Sequence, residues 1–165
     1  EKVRELVQEK APFLALNCQT NSYNHGFNII DRQYRRADSF SLDETELTLA
    51  CGRRNINYSV ELSKLKQKLS ARYGWLTRGA TDTIGLKTGE DECECMPFEQ
   101  SVIDTVGAGD AFCSVASLSA VSDLPIDIAT FMGQLAGAQA VRIIGNSDSI
   151  KKDTFLKGGM ALLSF

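Results

Sequence analysis

The chain has 165 residues, enough for one domain with a real core. At 43% hydrophobic and 24% charged it has the composition of an ordinary globular chain. A net charge of −3 argues against a broad nucleic-acid surface, and no apolar run is long enough to span a bilayer.

Residues 1–10 read as an amphipathic helix with Val3, Leu6 and Val7 on one side. Phe13-Leu14-Ala15-Leu16 reads as a buried strand after Pro12. It runs into a polar loop, Asn17 to Ser22, the place where open α/β sheets bind ligands. Tyr23, Phe27, Ile30 and Tyr34 fall at helical spacing. Asp38 to Leu42 is a second strand, Asp43 to Cys51 a short helix, and Ser59 to Ala71 a helix with leucines at 62, 65 and 69. Trp75-Leu76-Thr77 is a further strand ending at Gly79.

Alternating helices and strands argue for a parallel sheet with helices on its faces. The pattern then changes. Thr83 to Lys87 and Cys93 to Phe98 read as a hairpin around Thr88-Gly89-Glu90-Asp91. A helix over Ala111 to Val121 follows a polar-glycine turn, Thr105 to Gly109. Pro125 and Asp127 open another helix, to about Ile143. Gly145 to Ser149 is a loop, and Ser149 to Gly158 a last helix.

Five cysteines with no Cys-x-x-Cys pair give neither a disulfide framework nor a zinc site. Free thiols of a reducing cytosol are expected, with Cys93 and Cys95 on one face of a strand. His25 has no second histidine to form a metal pair or a triad. The chain opens without Met and without a signal peptide, inside the charged helix Glu1 to Lys10. It is therefore read as a piece of a longer protein of the cytoplasm.

The stretch Ile103-Asp104-Thr105-Val106-Gly107-Ala108-Gly109-Asp110-Ala111-Phe112 carries the chemistry. Two glycines let the backbone turn tightly and approach a ligand. The first N–H groups of the helix then point outward unpaired, and the helix dipole favours an anion there. Asp110 places one carboxylate in this positive nest, and proton abstraction is its natural use. An N-capped helix after a glycine turn would need only one of these residues.

Asp-Thr-x-Gly-Ala-Gly-Asp-x-Phe resembles the second signature of the PfkB (ribokinase-like) carbohydrate kinases. The resemblance implies an α/β fold with a three-layer, doubly wound, mostly parallel sheet that lacks the N-terminal substrate and lid region. It implies that Gly107, Ala108 and Gly109 form an anion hole for the transferring phosphate, with Asp110 as the base. Residues 1–165 then form a single nucleotide-binding domain, the later part of an ATP-dependent sugar kinase.

Other positions match in part. Asp43-Glu44-Thr45-Glu46 is a capping box on its residues alone. It also resembles the family's Asn-x-x-Glu motif, which would give Glu46 a role toward Mg2+ and phosphate; Asp43 departs from the usual Asn. Thr77-Arg78-Gly79 resembles the Thr-x-Gly strand end that lies against the nucleotide, and Asp82 departs from a second glycine. The run Gly79 to Gly85 before Leu86-Lys87-Thr88 has the wrong spacing for a P-loop. Gly133 to Ala138 is a stretch of small residues, suited either to tight helix packing or to walling an adenine pocket, where Gln134 would sit. Asp104 and the loop Gly145 to Ser149 match the positions that hold a monovalent cation such as K+, and Asp104 equally suits a turn cap. Asn17 matches a polar phosphate-side residue.

The expected partners are ATP and a small carbohydrate, with no nucleic acid and no membrane. A homo-oligomer or a fused catalytic domain stays open. A nucleoside kinase and a non-catalytic nucleotide-binding or assembly module are the alternatives. The 165 residues alone are expected to fold but not to turn over sugar.

Overall fold

The computed structural model describes residues 2–18, 29–99 and 101–164. The loop from Gln19 to Ser22, Tyr23, His25 and Phe27 lie outside the described residues.

Five strands form one sheet in the order β1 (Ala15–Asn17), β2 (Ser39–Asp43), β3 (Tyr73–Thr77), β4 (Thr83–Lys87) and β5 (Cys93–Cys95). The first three are parallel, and β4 and β5 are antiparallel neighbours, as a hairpin requires. Parallel pairing puts Asn17 beside Ser41, and Asp43 beside Thr77, so three strand ends open on one edge. Strand order is sequential within the described residues.

The two helical layers come from opposite sides of the sheet. Helices α3 (Glu44–Cys51) and α4 (Tyr58–Lys68) join β2 to β3 and cover one face. Helices α5 (Ala108–Val121) and α6 (Ile126–Ala140) return over the other face after the hairpin. Strand β3 supplies both cores by alternation. Leu76 joins Phe40, Leu42, Leu47, Leu62 and Leu69 under α3 and α4. Tyr73 and Trp75 join Phe112, Ala116 and Ala129 under α5 and α6. On β2 the residues facing α5 are serines. Ser39 and Ser41 are buried, and the Ser39 and Ser117 hydroxyls lie 3.3 Å apart, so small polar side chains let the helix approach closely.

Several boundaries differ from the sequence reading for local reasons. The first strand starts at Ala15 because the Leu14 N–H is taken by the Asp38 carboxylate at 2.7 Å. Helix α4 starts after its N-cap Asn57 and stops at Lys68, because Ser70 turns left-handed at φ 51°. The hairpin's second strand ends at Cys95, two residues before Pro97. Pro125 is the N-cap of α6, one position outside the first turn, and α6 ends at Ala140. The last helix, α7, runs over Lys152–Leu163. At the chain start α1 (Lys2–Lys10) forms as expected, with Val3, Leu6 and Val7 all exposed. Helix α2 is short, Ile30–Gln33, and Tyr34 is extended. Among the described residues no helix is long and apolar enough to cross a membrane.

Candidate functional site

The site sits where two helix N-termini meet the ends of the parallel strands. Gly107 takes the left-handed conformation, φ 83°, a shape that needs glycine, and α5 begins directly after it. Ala108, Gly109 and Asp110 therefore form the first helical turn, which corrects the sequence reading of a glycine loop followed by a helix from Ala111. The Ala108 N–H donates to Thr105 O at 3.2 Å and is engaged in the turn. The Gly109 and Asp110 amides have no acceptor among the described residues, and Gly107 supplies no side-chain cap. A Cβ at Gly109 would meet nothing within 4 Å, so this turn faces open space. Such amides at a helix start are an anion site.

Asp110 is exposed on this turn, and Asn17 at the end of β1 donates to it: Nδ2 to Oδ1 is 2.6 Å. The amide engages one carboxylate oxygen, and no partner of the other is found among the described residues. Beside it lies a cavity of about 320 Å3 lined by Gly107, Asp110, Ser114, Ile143, Asp148 and Ile150, among others. Ser114 and Ile150 were not singled out from the sequence, whereas Asp148 lies within the Gly145 to Ser149 loop that was matched to a monovalent-cation position. Ser114 could have been, because it lies four residues after Asp110 on the same helix face.

Asp104 closes the back of the turn. Its Oδ1 accepts from Val106 N at 3.0 Å and its Oδ2 from Gly145 N at 2.7 Å. These backbone donors hold its carboxyl below the usual range. Gly145 is left-handed at φ 53°, inside a single 3-10 turn. The structure thus brings Asp104 and Gly145 together, 41 residues apart.

The second helix start is α3. Asp43 Oδ1 accepts from Glu46 N at 2.8 Å, and Glu46 Oε2 accepts from Asp43 N at 2.9 Å, a complete capping box. One Glu46 oxygen is thereby placed at the end of β2. Thr77 donates to Leu42 O at 3.3 Å, and Gly79 is left-handed at φ 55° with no neighbour within 4 Å of a Cβ. Among the described residues no group of three His, Cys, Asp or Glu side chains is gathered as a metal cage.

Gln134 lies on α6. It is buried against the hairpin, where its Oε1 accepts from Thr83 Oγ1 at 3.4 Å and its Nε2 donates to Cys95 O at 3.5 Å. It does not line the cavity beside Gly107. The small residues of α6 serve helix packing at Gly133, where a Cβ would come within 2.8 Å of the Phe112 ring.

The five thiols are free. Burial pushes Cys18 up to about 12, helped by Glu46 and Asp31, and Cys95 up to about 11. Such thiols stay protonated and inert at neutral pH.

Residues 28–153 match the pfkB family carbohydrate kinase model. No curated protein matches the sequence. Among solved structures, Arabidopsis thaliana ribokinase complexed with ribose and ATP superposes with a TM-score of 0.77 at 20% identity, over 96% of this chain and 51% of that one. Escherichia coli phosphofructokinase-2, in complex with substrates and products, gives 0.78 at 15% identity, over 99% and 52%. Ribokinase from Thermotoga maritima gives 0.74 at 15% identity, over 94% and 52%. The chain thus spans about half the length of these structures and shares their fold. The family model, matched over most of the chain and including the Gly107–Asp110 turn, places this protein in the pfkB family of carbohydrate kinases.

Proposed function

We propose that the protein, in its full-length form, transfers the γ-phosphoryl group of ATP to a hydroxyl of a carbohydrate. One observation carries this reading: a carboxylate held by Asn17 stands in the same helical turn as two unpaired amides, at the mouth of a cavity. The combination serves phosphoryl transfer, which needs a proton acceptor, an in-line geometry and charge stabilisation.

Asp110 takes the proton of the acceptor hydroxyl through the oxygen that Asn17 leaves open. The deprotonated oxygen attacks the γ-phosphorus, and the bond from that phosphorus to the bridging oxygen breaks, with the electron pair leaving on ADP. The Gly109 and Asp110 amides donate to the equatorial oxygens as charge builds there. Gly107 supports this turn by its left-handed backbone, and Ala108 by its bond to Thr105. Thr77, paired with Asp43 at the strand end, and Gly79 two residues on would lie on the nucleotide side.

The donor set fits a magnesium ion, which takes few protein carboxylates and keeps waters. Glu46, fixed in the capping box, would hold it through water and phosphate, and the ion would supply charge neutralisation of the triphosphate. For a monovalent cation, Asp104 and Gly145 would form one wall, bringing the negative charge that Asp104 keeps at neutral pH. The part of the solved relatives' length that this chain does not span would supply the remaining sugar contacts.

The reading is tested with full-length protein, ATP, magnesium and a panel of sugars and nucleosides, by detecting ADP and the phosphorylated product. A sugar phosphate supports it. Product from nucleosides alone would move the acceptor class, and nucleotide binding without any product would make this an assembly module.

A further inference from the structure

Arg78, just past the end of β3, stands between Glu44 of α3 and Asp82, with the Asp43–Glu46 capping box on the neighbouring strand end. Arg78 follows Thr77 directly, and Thr77 pairs with Asp43, so the guanidinium lies against the first turn of α3. Its Nη1 is 3.3 Å from Asp82 Oδ2, and its Nε is 3.6 Å from Glu44 Oε1. It also stands over the Tyr58 ring, 5.3 Å from the centroid. The backbone closes this turn, with Arg78 N donating to Asp82 O at 2.8 Å and Thr81 N to Arg78 O at 2.9 Å.

Two atoms in this cluster are left over. Arg78 Nε and Asp82 Oδ1 are both buried with no hydrogen-bond partner, and Asp82 as a whole is 8% exposed. A pair that served only to fasten the turn would satisfy these atoms by a bidentate fork. Here the guanidinium is held mainly by charge and by the ring face, at distances that leave donor capacity. Its position decides what that charge acts on. Neighbouring strands are about 4.8 Å apart and β3 runs two residues beyond the level of Asn17, so the end of β3 is roughly 12 Å from the end of β1, where Asn17 and Asp110 meet. A triphosphate seated at Gly109 has the length to cover that span.

We propose that Arg78 sets the affinity for the anionic phosphate donor. It offsets the carboxylates at the ends of β2 and β3, and Asp82 acts as its counterweight by limiting that positive charge. The inference rests on the phosphoryl-transfer reading, and it makes Arg78 and Asp82 affinity-determining positions distinct from the base and its anion hole. Charge effects at this range act through partly screened solvent, so they diminish with added salt.

The experiment uses full-length protein and MgATP. It measures kcat and KM with the best acceptor, the nucleotide Kd by direct titration, and the thermal melt, at low ionic strength and at about 0.5 M salt. Arg78→Ala is expected to raise KM and Kd by ~10-fold at low salt, with the gap narrowing at high salt and the change falling on affinity rather than kcat. Arg78→Lys restores most of the affinity. Asp82→Asn tightens binding by about threefold, a direction that a merely structural ion pair would not give. Unchanged KM and Kd in both Arg78→Ala and Asp82→Asn would overturn the proposal, as would a fall in kcat alone. If Arg78→Ala does not melt cooperatively, Asp82→Asn decides by the sign of its change in Kd. An Asp110→Asn arm separates the two readings. If wild type transfers phosphate, Asp110→Asn does not, and the Arg78 and Asp82 variants bind nucleotide normally, the inference on Arg78 fails alone. If wild type neither binds nor transfers, both fail.

Discussion

Asn17 and Asp110 stand 93 residues apart in sequence and 2.6 Å apart in space, with the Asn17 amide donating to Oδ1 of the carboxylate. Asn17 ends β1, and Asp110 lies in the first turn of α5, which packs over β1 and β2. The bond therefore ties the candidate base to the sheet. It also decides which of the two oxygens is open to a substrate hydroxyl. Removing the amide frees the carboxylate to rotate without altering its chemistry. Asn17→Ala in the full-length enzyme should lower kcat by roughly 10-fold, with a smaller effect on nucleotide KM. Steady-state kinetics check this, and an unchanged kcat would remove Asn17 from the positioning of the base.

The capping box at α3 makes a stability prediction independent of the chemistry. Asp43 accepts the Glu46 N–H, one of the donors that a helix start otherwise leaves unpaired. Asp43→Ala should cost about 1 kcal/mol in denaturant unfolding, with Asp43→Asn close to wild type. Equal stability of Asp43→Ala and wild type would mean that solvent caps this helix as well.

Gly133 sets the distance between α5 and α6. A Cβ there would lie 2.8 Å from the Phe112 ring and 3.0 Å from the Ala116 Cβ, and both neighbours are buried. Gly133→Ala gains helix propensity but overfills the contact, so it should destabilise by about 1–3 kcal/mol. A melt at or above the wild-type temperature would show that the two helices can separate without penalty.

Asp104 gives a pH dependence with a definite sign. Its folded pKa is lowered from the ordinary value of 3.8, with the Val106 and Gly145 amides as the leading causes. Its contribution is thus present above that value and is lost as pH falls through the lower, folded value. Asp104→Asn should be less stable than wild type at neutral pH, and the two melting curves should converge as the pH drops below about 4. A difference that stays constant down to the acid limit would assign the Asp104 effect to shape rather than charge.

Much of this arrangement was legible in the sequence, because its signals are local. The Gly107–Asp110 run, the Asp43–Glu46 box and the hairpin around Gly89 each announce themselves within a few residues. Leucines 62, 65 and 69 gave α4 for the same reason. What could not be read is set by packing between distant segments. The Asn17–Asp110 bond depends on α5 crossing β1, and nothing near Asn17 says so. The contacts of Gln134 with Thr83 and Cys95 likewise depend on how α6 packs against the hairpin, which no local signal gives. The start of α5 at Ala108 follows from the left-handed Gly107, which the sequence permits without requiring it. The Arg78–Asp82 cluster was visible only as a departure from a glycine pattern, until the β2–β3 register placed it beside α3.

The central claim is that Asp110 is the base of a phosphoryl transfer whose charge is met by the first turn of α5. Its most direct test is Asp110→Asn in the full-length protein, with kcat and the nucleotide Kd measured on the same preparation. The account predicts a kcat lower by ~100-fold or more and a nucleotide Kd close to wild type, because the side chain keeps its size and loses its basicity. A loss of less than tenfold, with binding intact, would contradict it.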